Sequence, residues 1–165
     1  MQICITRFDN KTINENNNWK LLNSHIGCIY GTPIKISEKI LPDVFIVVLE
    51  MNNSKNIIEG IGFIKNKLEK ENKKYYKIYT DNNYNRFIYK SNLRIDKSSF
   101  SEYEKNIIEN IEYLLFKSSR HSKRGHGIQC IPKNIKDQEF NYINFLKELY
   151  YKRFVKINSK KIKII

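Results

Sequence analysis

The residues with most chemistry to offer lie between Phe116 and Lys136, where the chain reads FKSSRHSKRGHGIQCIPKNIK. Lys117, Arg120, Lys123, Arg124, Lys133 and Lys136 interleave with His121 and His126, and no acidic residue occurs between Glu112 and Asp137. Gly125 and Gly127 bracket the second histidine, and Pro132 closes the stretch. Such a block calls for an anionic partner or a large hydration shell, and glycines let backbone N–H groups approach a ligand closely. The chemistry this favours is contact with a nucleic-acid backbone, through Lys117, Arg120, His121, Lys123, Arg124, Gly125, His126 and Lys133. The competing reading is a solvated basic loop with no ligand.

A second set of candidates lies upstream. Between Tyr75 and Ile95 the chain places Tyr84, Arg86, Tyr89 and Arg94 among short β-type segments. Aromatic and arginine residues interleaved on a sheet suit base stacking and phosphate contact, and equally suit a sheet packed on helices. Arg86 and Arg94 therefore join the candidate nucleic-acid contacts, and Trp19, Tyr30, Tyr84 and Tyr89 are candidate stacking platforms. Trp19, the only tryptophan, sits in NENNNWKLLN, polar on one side and apolar on the other, which favours a core anchor over a platform.

Other chemistry is weakly signalled. His121, His126 and Cys130 have H-x4-H-x3-C spacing, but only these ligands are local and the flanking cations would repel a metal. Neither Cys28 nor Cys130 sits in a signature of a nucleophilic cysteine. There is no P-loop, no GxGxxG after a strand and no GxSxG. Glu50 and Glu59, with Asp81 or Asp96, offer acids for magnesium beside a phosphodiester; the simpler reading puts those glutamates at strand ends near solvent. No catalytic residue, metal ligand or cofactor is assigned.

The composition fits one domain spanning 1–165 with a real core. Of its residues, 41% are hydrophobic and 13% aromatic, which argues against disorder. A net charge of +13, from 30 Lys+Arg against 17 Asp+Glu, suggests a polyanionic partner. Asn, Lys and Ile are abundant, as A/T-rich codons dictate, so the arginines carry more of that argument than the lysines. Cys4, Cys28 and Cys130 are widely spaced with no CxxC, which fits a reducing compartment. No signal peptide or membrane-spanning run is visible. The expectation is a cytoplasmic protein without a membrane partner.

The elements that must position these residues follow from pattern. Ile3 to Phe8 alternates as a strand; Asp9 to Asn18 is a polar, Asn-rich loop, followed by a helical turn at Trp19 to Leu22. Val44 to Met51 (VFIVVLEM) is a nearly continuous apolar run, as in a central strand buried on both faces. Ile57 to Lys65 returns as its hairpin partner, with Gly60 and Gly62 marking a bulge or a close approach. Tyr75 to Thr80, Phe87 to Lys90 and Leu93 to Asp96 are shorter strand candidates. From Ser99 the period becomes helical, capped by Ser98 or Ser99, with Ile107, Ile108, Ile111, Leu114 and Leu115 on one face. A second helix runs from about Asp137 to Phe154 and leads into a basic tail, 152–165.

The segment FIVVLEMNNSKNIIEGIGFIK resembles the central hairpin of PUA-like domains, the superfamily that includes the ASCH, EVE and YTH groups. That resemblance covers roughly Ile36 to Asp96 and implies an α+β fold: a small mixed β-barrel with helices concentrated in the C-terminal third, binding RNA or a modified base. YTH-group readers cage a methylated adenine with aromatics, mostly tryptophan; this chain has Trp19 with Tyr30, Tyr84 and Tyr89 as substitutes. DNNYNRFIYKSNLRID, the following helix and FKSSRHSKRGHGI also resemble an uncharacterised protein group of large nucleocytoplasmic DNA viruses, over about Ile29 to Pro132. This implies a setting in host cytoplasm or virion. The leading expectation is a non-enzymatic module for RNA or other nucleic acid. The alternatives are a metal-dependent phosphodiester-processing enzyme, and a virion or assembly protein whose basic surface meets an acidic protein partner.

Overall fold

The computed structural model describes residues 1–69 and 76–155. Its centre is a five-stranded sheet built from β1 (Gln2–Phe8), β3 (Phe45–Asn52), β4 (Ile57–Lys65), β6 (Leu93–Asp96) and β7 (Gln129–Cys130), in the order β6-β4-β3-β1-β7. β1 runs parallel to β3, from Gln2 opposite Ile46 to Phe8 opposite Asn52, and the other pairings are antiparallel. A two-stranded ribbon of β2 (Cys28–Thr32) and β5 (Phe87–Ser91) lies outside it. The α+β expectation holds. Among the described residues, hydrogen bonding does not close the strands into one ring.

Period-2 alternation assigns the two faces of β3. Val47, Leu49 and Met51 join Ile3, Ile5, Ile61, Phe63 and Ile95 under α2 (Glu102–Glu112) and α4 (Tyr142–Tyr150). Ile46 and Val48 join Cys4, Phe8 and Ile64 under the ribbon and α1 (Asn10–Leu22). Both faces are dry, so a strand without polar alternation is what the position requires. Each such aliphatic side chain contributes about 1.5–3 kcal/mol on burial. Gly62 lies where the Tyr30 hydroxyl crosses the sheet, and a Cβ there would collide with that oxygen. The bulge falls one step away, between the Leu49 and Met51 pairings.

Several local expectations change. The Asn-rich stretch expected as a loop is α1. Asp9 caps it: its carboxylate accepts from Thr12 N at 2.7 Å, and Thr12 Oγ1 accepts from Asp9 N at 2.9 Å. Asn is a poor helix former, and the low amphipathicity hides the element; the cap, buried Ile13 and buried Asn16 hold it. Asn16 donates to the Ile29 carbonyl at 2.7 Å and the Tyr79 hydroxyl at 3.0 Å.

Of the strand expected over Tyr75 to Thr80, Tyr75 lies outside the described residues and the remainder forms no strand. Buried Asn85 takes the place of a partner strand. Its Oδ1 accepts from Ile78 N and Tyr79 N at 2.9 and 3.0 Å, and its Nδ2 donates to Tyr79 O at 2.7 Å.

The helix expected from about Asp137 begins later, as α4 capped by Asn141, and a separate short α3 (Lys133–Lys136) precedes it. Asp137 ends α3 instead of starting a helix. The cap of α2 is Ser101, in a reciprocal box with Glu104, displacing the expected Ser98 or Ser99. Two-sided capping outweighs a lone serine. The α2 helix finishes in a π turn at Tyr113–Lys117, which widens the last turn just before the basic stretch. The basic tail lies outside the described residues from Lys156 onward. No described helix is long and apolar enough to cross a membrane.

Candidate functional site

A cavity of about 360 Å³ opens at the carboxyl ends of the parallel strands β1 and β3. Open α/β sheets commonly bind ligands at such strand ends. Thr6, Arg7 and Phe8 come from β1, Lys11, Thr12 and Glu15 from the first turns of α1, and Asn53 from the turn after β3. Gly31 and Thr32 of β2, then Tyr79, Asp81 and Tyr84, form the facing wall, and Gly125, His126 and Gly127 close the rim. The basic stretch therefore meets the cavity directly.

The sequence builds this junction economically. β1 passes into α1 through the single residue Asp9, so the strand end and the helix start share one wall. Asn53 N donates to Phe8 O at 2.7 Å, continuing the parallel ladder past the strands. Asn53 Nδ2 donates to the Lys123 carbonyl at 2.8 Å, and Arg7 Nε donates to the Ser122 carbonyl at 2.5 Å. Ser122 N in turn donates to Leu115 O at 2.7 Å. These bonds pin the basic loop to the sheet. Gly125 and Gly127 then adopt φ of 127° and 68°, a region that excludes most side chains.

Arg7 is the unusual charge. It is half-buried, no carboxylate pairs with it among the described residues, and its Nη1 is buried without an acceptor. Burial holds its pKa below the usual arginine value. Asn53 Oδ1, on the same wall, is also buried without a donor. The cavity's acids are engaged elsewhere. Asp9 caps α1, and the Thr12 backbone N–H holds its pKa below the usual carboxylate range. Asp81 Oδ1 accepts from Asn83 N at 2.9 Å, and Glu15 accepts from the backbone and hydroxyl of Thr80. On the rim, Tyr84 Oη lies 3.4 Å from His126 Nδ1, and the Tyr84 and Tyr79 rings meet edge to face at 6.1 Å.

Of the residues singled out from sequence, the structure gathers Tyr84, Gly125, His126 and Gly127 at the cavity, with the candidate acid Asp81. Arg120, His121 and Arg124 are exposed and Lys123 half-exposed on the adjoining loop, Lys117 and Lys133 are exposed in the elements that flank it, and none of these pairs with a carboxylate among the described residues. Arg86 is exposed elsewhere, over the Phe87 ring at 5.5 Å.

Arg94 is not displayed for a phosphate. Its Nη2 lies 2.7 Å from Glu50 Oε2 and its Nη1 2.6 Å from Asp96 Oδ2. Burial pulls its pKa down, but the Glu50 charge outweighs this and holds it above the usual arginine value. Burial also opposes the charge on Asp96, yet Arg94 and Ser98 hold that carboxyl at about 2. Glu50 is 2% exposed and accepts from Tyr30 Oη at 2.8 Å, so it is a core ion-pair partner, not an acid near solvent. Glu59 accepts from Asn52 Nδ2 at 2.7 Å. Tyr30 and Tyr89 are 1% and 2% exposed and present no free face to a base. Trp19 is half-buried against Tyr76 and His25, outside the cavity lining.

Among the described residues, no group of three or more His, Cys, Asp or Glu is placed to hold a metal ion. Sequence reasoning missed Arg7, Lys11, Thr12, Asn53 and Tyr79. The available signal was TRFDNKT, where a strand meets an Asp-x-x-Thr cap without a linker. Comparison with protein-family models, curated proteins and solved structures finds no match to this chain.

Proposed function

We propose that this chain is a non-catalytic nucleic-acid-binding module, with single-stranded RNA the first ligand to test. The observation that carries the reading is the junction of an acid-free basic loop with a cavity whose arginine has no carboxylate partner among the described residues. Lys117, Arg120, Lys123, Arg124 and Lys133 hold phosphates, while the cavity takes one unstacked nucleotide.

Charge distribution supports that division. The loop is uniformly basic, whereas the cavity mixes Arg7 and Lys11 with Asp9, Glu15 and Asp81, a lining suited to the hydrogen-bonding edge of a base. Its volume of about 360 Å³ lies in the ordinary small-ligand range. Tyr84 and His126 stand at the mouth as the available rings, so an unusual base or an RNA end would be read there. On this reading the ribbon and the five-stranded sheet are parts of a small mixed PUA-like barrel, and a host-cytoplasm or virion setting follows from the viral resemblance.

The enzymatic alternative loses support because Glu50 is already committed to Arg94 and Tyr30. The test is binding of a labelled single-stranded RNA by wild type and by the double variant Arg120→Glu, Arg124→Glu. Strong weakening in a variant of unchanged thermal midpoint is expected, since exposed substitutions usually cost little stability. Unchanged affinity in that folded variant would reject the loop as the binding surface.

A further inference from the structure

Cys4 and Cys130 are brought together by the fold although 126 positions separate them in the chain. They are register partners in the antiparallel β1–β7 pair, and their sulfurs lie 4.0 Å apart. Ile131 N donates to Ile3 O at 3.1 Å, which makes Ile3–Ile131 a hydrogen-bonded pair and Cys4–Cys130 the adjoining non-hydrogen-bonded one. At such positions Cα atoms stand about 4.5 Å apart and side chains are closest. That separation falls at the near edge of the disulfide range of roughly 4.4–6.8 Å. Cys4 is buried, Cys130 is exposed, and Cys28 stands apart on β2.

We propose that Cys4 and Cys130 form an oxidation site at which a disulfide clamps the end of the basic loop onto β1. β7 consists only of Gln129 and Cys130, and Ile128 alone separates it from Gly125–Gly127 at the cavity rim. A covalent tie at Cys130 therefore fixes that turn against the strand that supplies Arg7. Oxidation begins at exposed Cys130, since burial pushes the Cys4 thiol well above its usual value. With a peroxide as oxidant, the Cys130 thiolate attacks one peroxide oxygen and breaks the O–O bond, giving a sulfenic acid and a hydroxide that takes up the proton released by the thiol and leaves as water. The Cys4 sulfur then displaces the hydroxyl group, which leaves as a second water as the Cys4 proton is lost. The thiols are oxidised and the peroxide is reduced.

The consequence for ligand binding rests on the proposed nucleic-acid role, but the clamp is tested without it. The whole 165-residue chain is treated with stoichiometric hydrogen peroxide, digested without reduction and mapped by mass spectrometry. The Cys4 and Cys130 peptides are expected as one linked species in wild type and in Cys28→Ser, and in neither Cys4→Ser nor Cys130→Ser. In the linked protein, tryptic cleavage after Arg120 and Arg124 should slow several-fold, and the thermal midpoint should rise by roughly 5–15 °C. Both changes should reverse on reduction. A folded protein yielding only Cys130 sulfinic acid or intermolecular dimers would overturn the proposal, as would a linked protein cut at the unchanged rate. A linked, protected protein with no affinity for RNA would remove the functional reading and leave the clamp standing.

Discussion

Arg7 and Arg94 show how the same side chain serves opposite ends. Arg94 is locked to Glu50 and Asp96, so it belongs to the core. Among the described residues Arg7 bonds the Ser122 carbonyl and pairs with no carboxylate. Replacing each by methionine should separate the roles. Arg94→Met leaves the buried Glu50 carboxylate without its cation and should cost about 3–5 kcal/mol of stability in a denaturant melt. Arg7→Met removes a partly desolvated charge together with the bond to the Ser122 carbonyl, two effects of opposite sign, so stability should change little. RNA affinity should nonetheless fall by about 10- to 150-fold, the worth of roughly 1.5–3 kcal/mol for a bond to a charged group. A destabilised Arg7→Met with intact binding would make Arg7 a structural residue. Sequence alone could not divide these arginines, because both lie within β-strands and differ only in which acids the folded chain brings near.

At the scale of elements, the helical layer is tied by Glu104 of α2. It is 2% exposed, and its carboxylate meets Lys152 Nζ at 2.9 Å and Arg153 Nη2 at 2.5 Å in the π turn after α4. Burial opposes its charge, but the Lys152 hydrogen bond, the Ser101 N–H and the Arg153 charge together hold its pKa below the usual value. A carboxyl whose folded pKa is depressed stabilises the protein above its unfolded pKa of about 4.3 and loses that contribution as pH falls through the folded value. Glu104→Gln should therefore lower the melting temperature at pH 7 and narrow its gap to wild type as the pH falls below about 4. A gap constant with pH would show that the charge of Glu104 contributes nothing.

Element types were most legible where one force dominated: VFIVVLEM and its return strand needed only hydrophobicity and a turn. They were least legible where polar side chains substituted for regular structure. Asn85 satisfying the backbone at Ile78 and Tyr79, and Asp9 with Thr12 starting an Asn-rich helix, depend on hydrogen bonds that no periodicity reports.

For the whole molecule, the charge of +13 takes its functional sense from where it is left unpaired. The loop could be recognised in sequence because it is contiguous and acid-free. The cavity could not, since its walls come from segments scattered between Thr6 and Gly127, which only the folded sheet and ribbon bring together. If the loop cations at Lys117, Arg120, Lys123, Arg124 and Lys133 hold phosphates, binding must displace counterions. Each phosphate contact on a single strand contributes about 0.7 to the slope of log K against log salt. The most direct measurement is the affinity for a labelled single-stranded RNA across a series of salt concentrations. These cations acting together give a slope of about −3.5. A slope near zero, or no binding at low salt, would contradict the account.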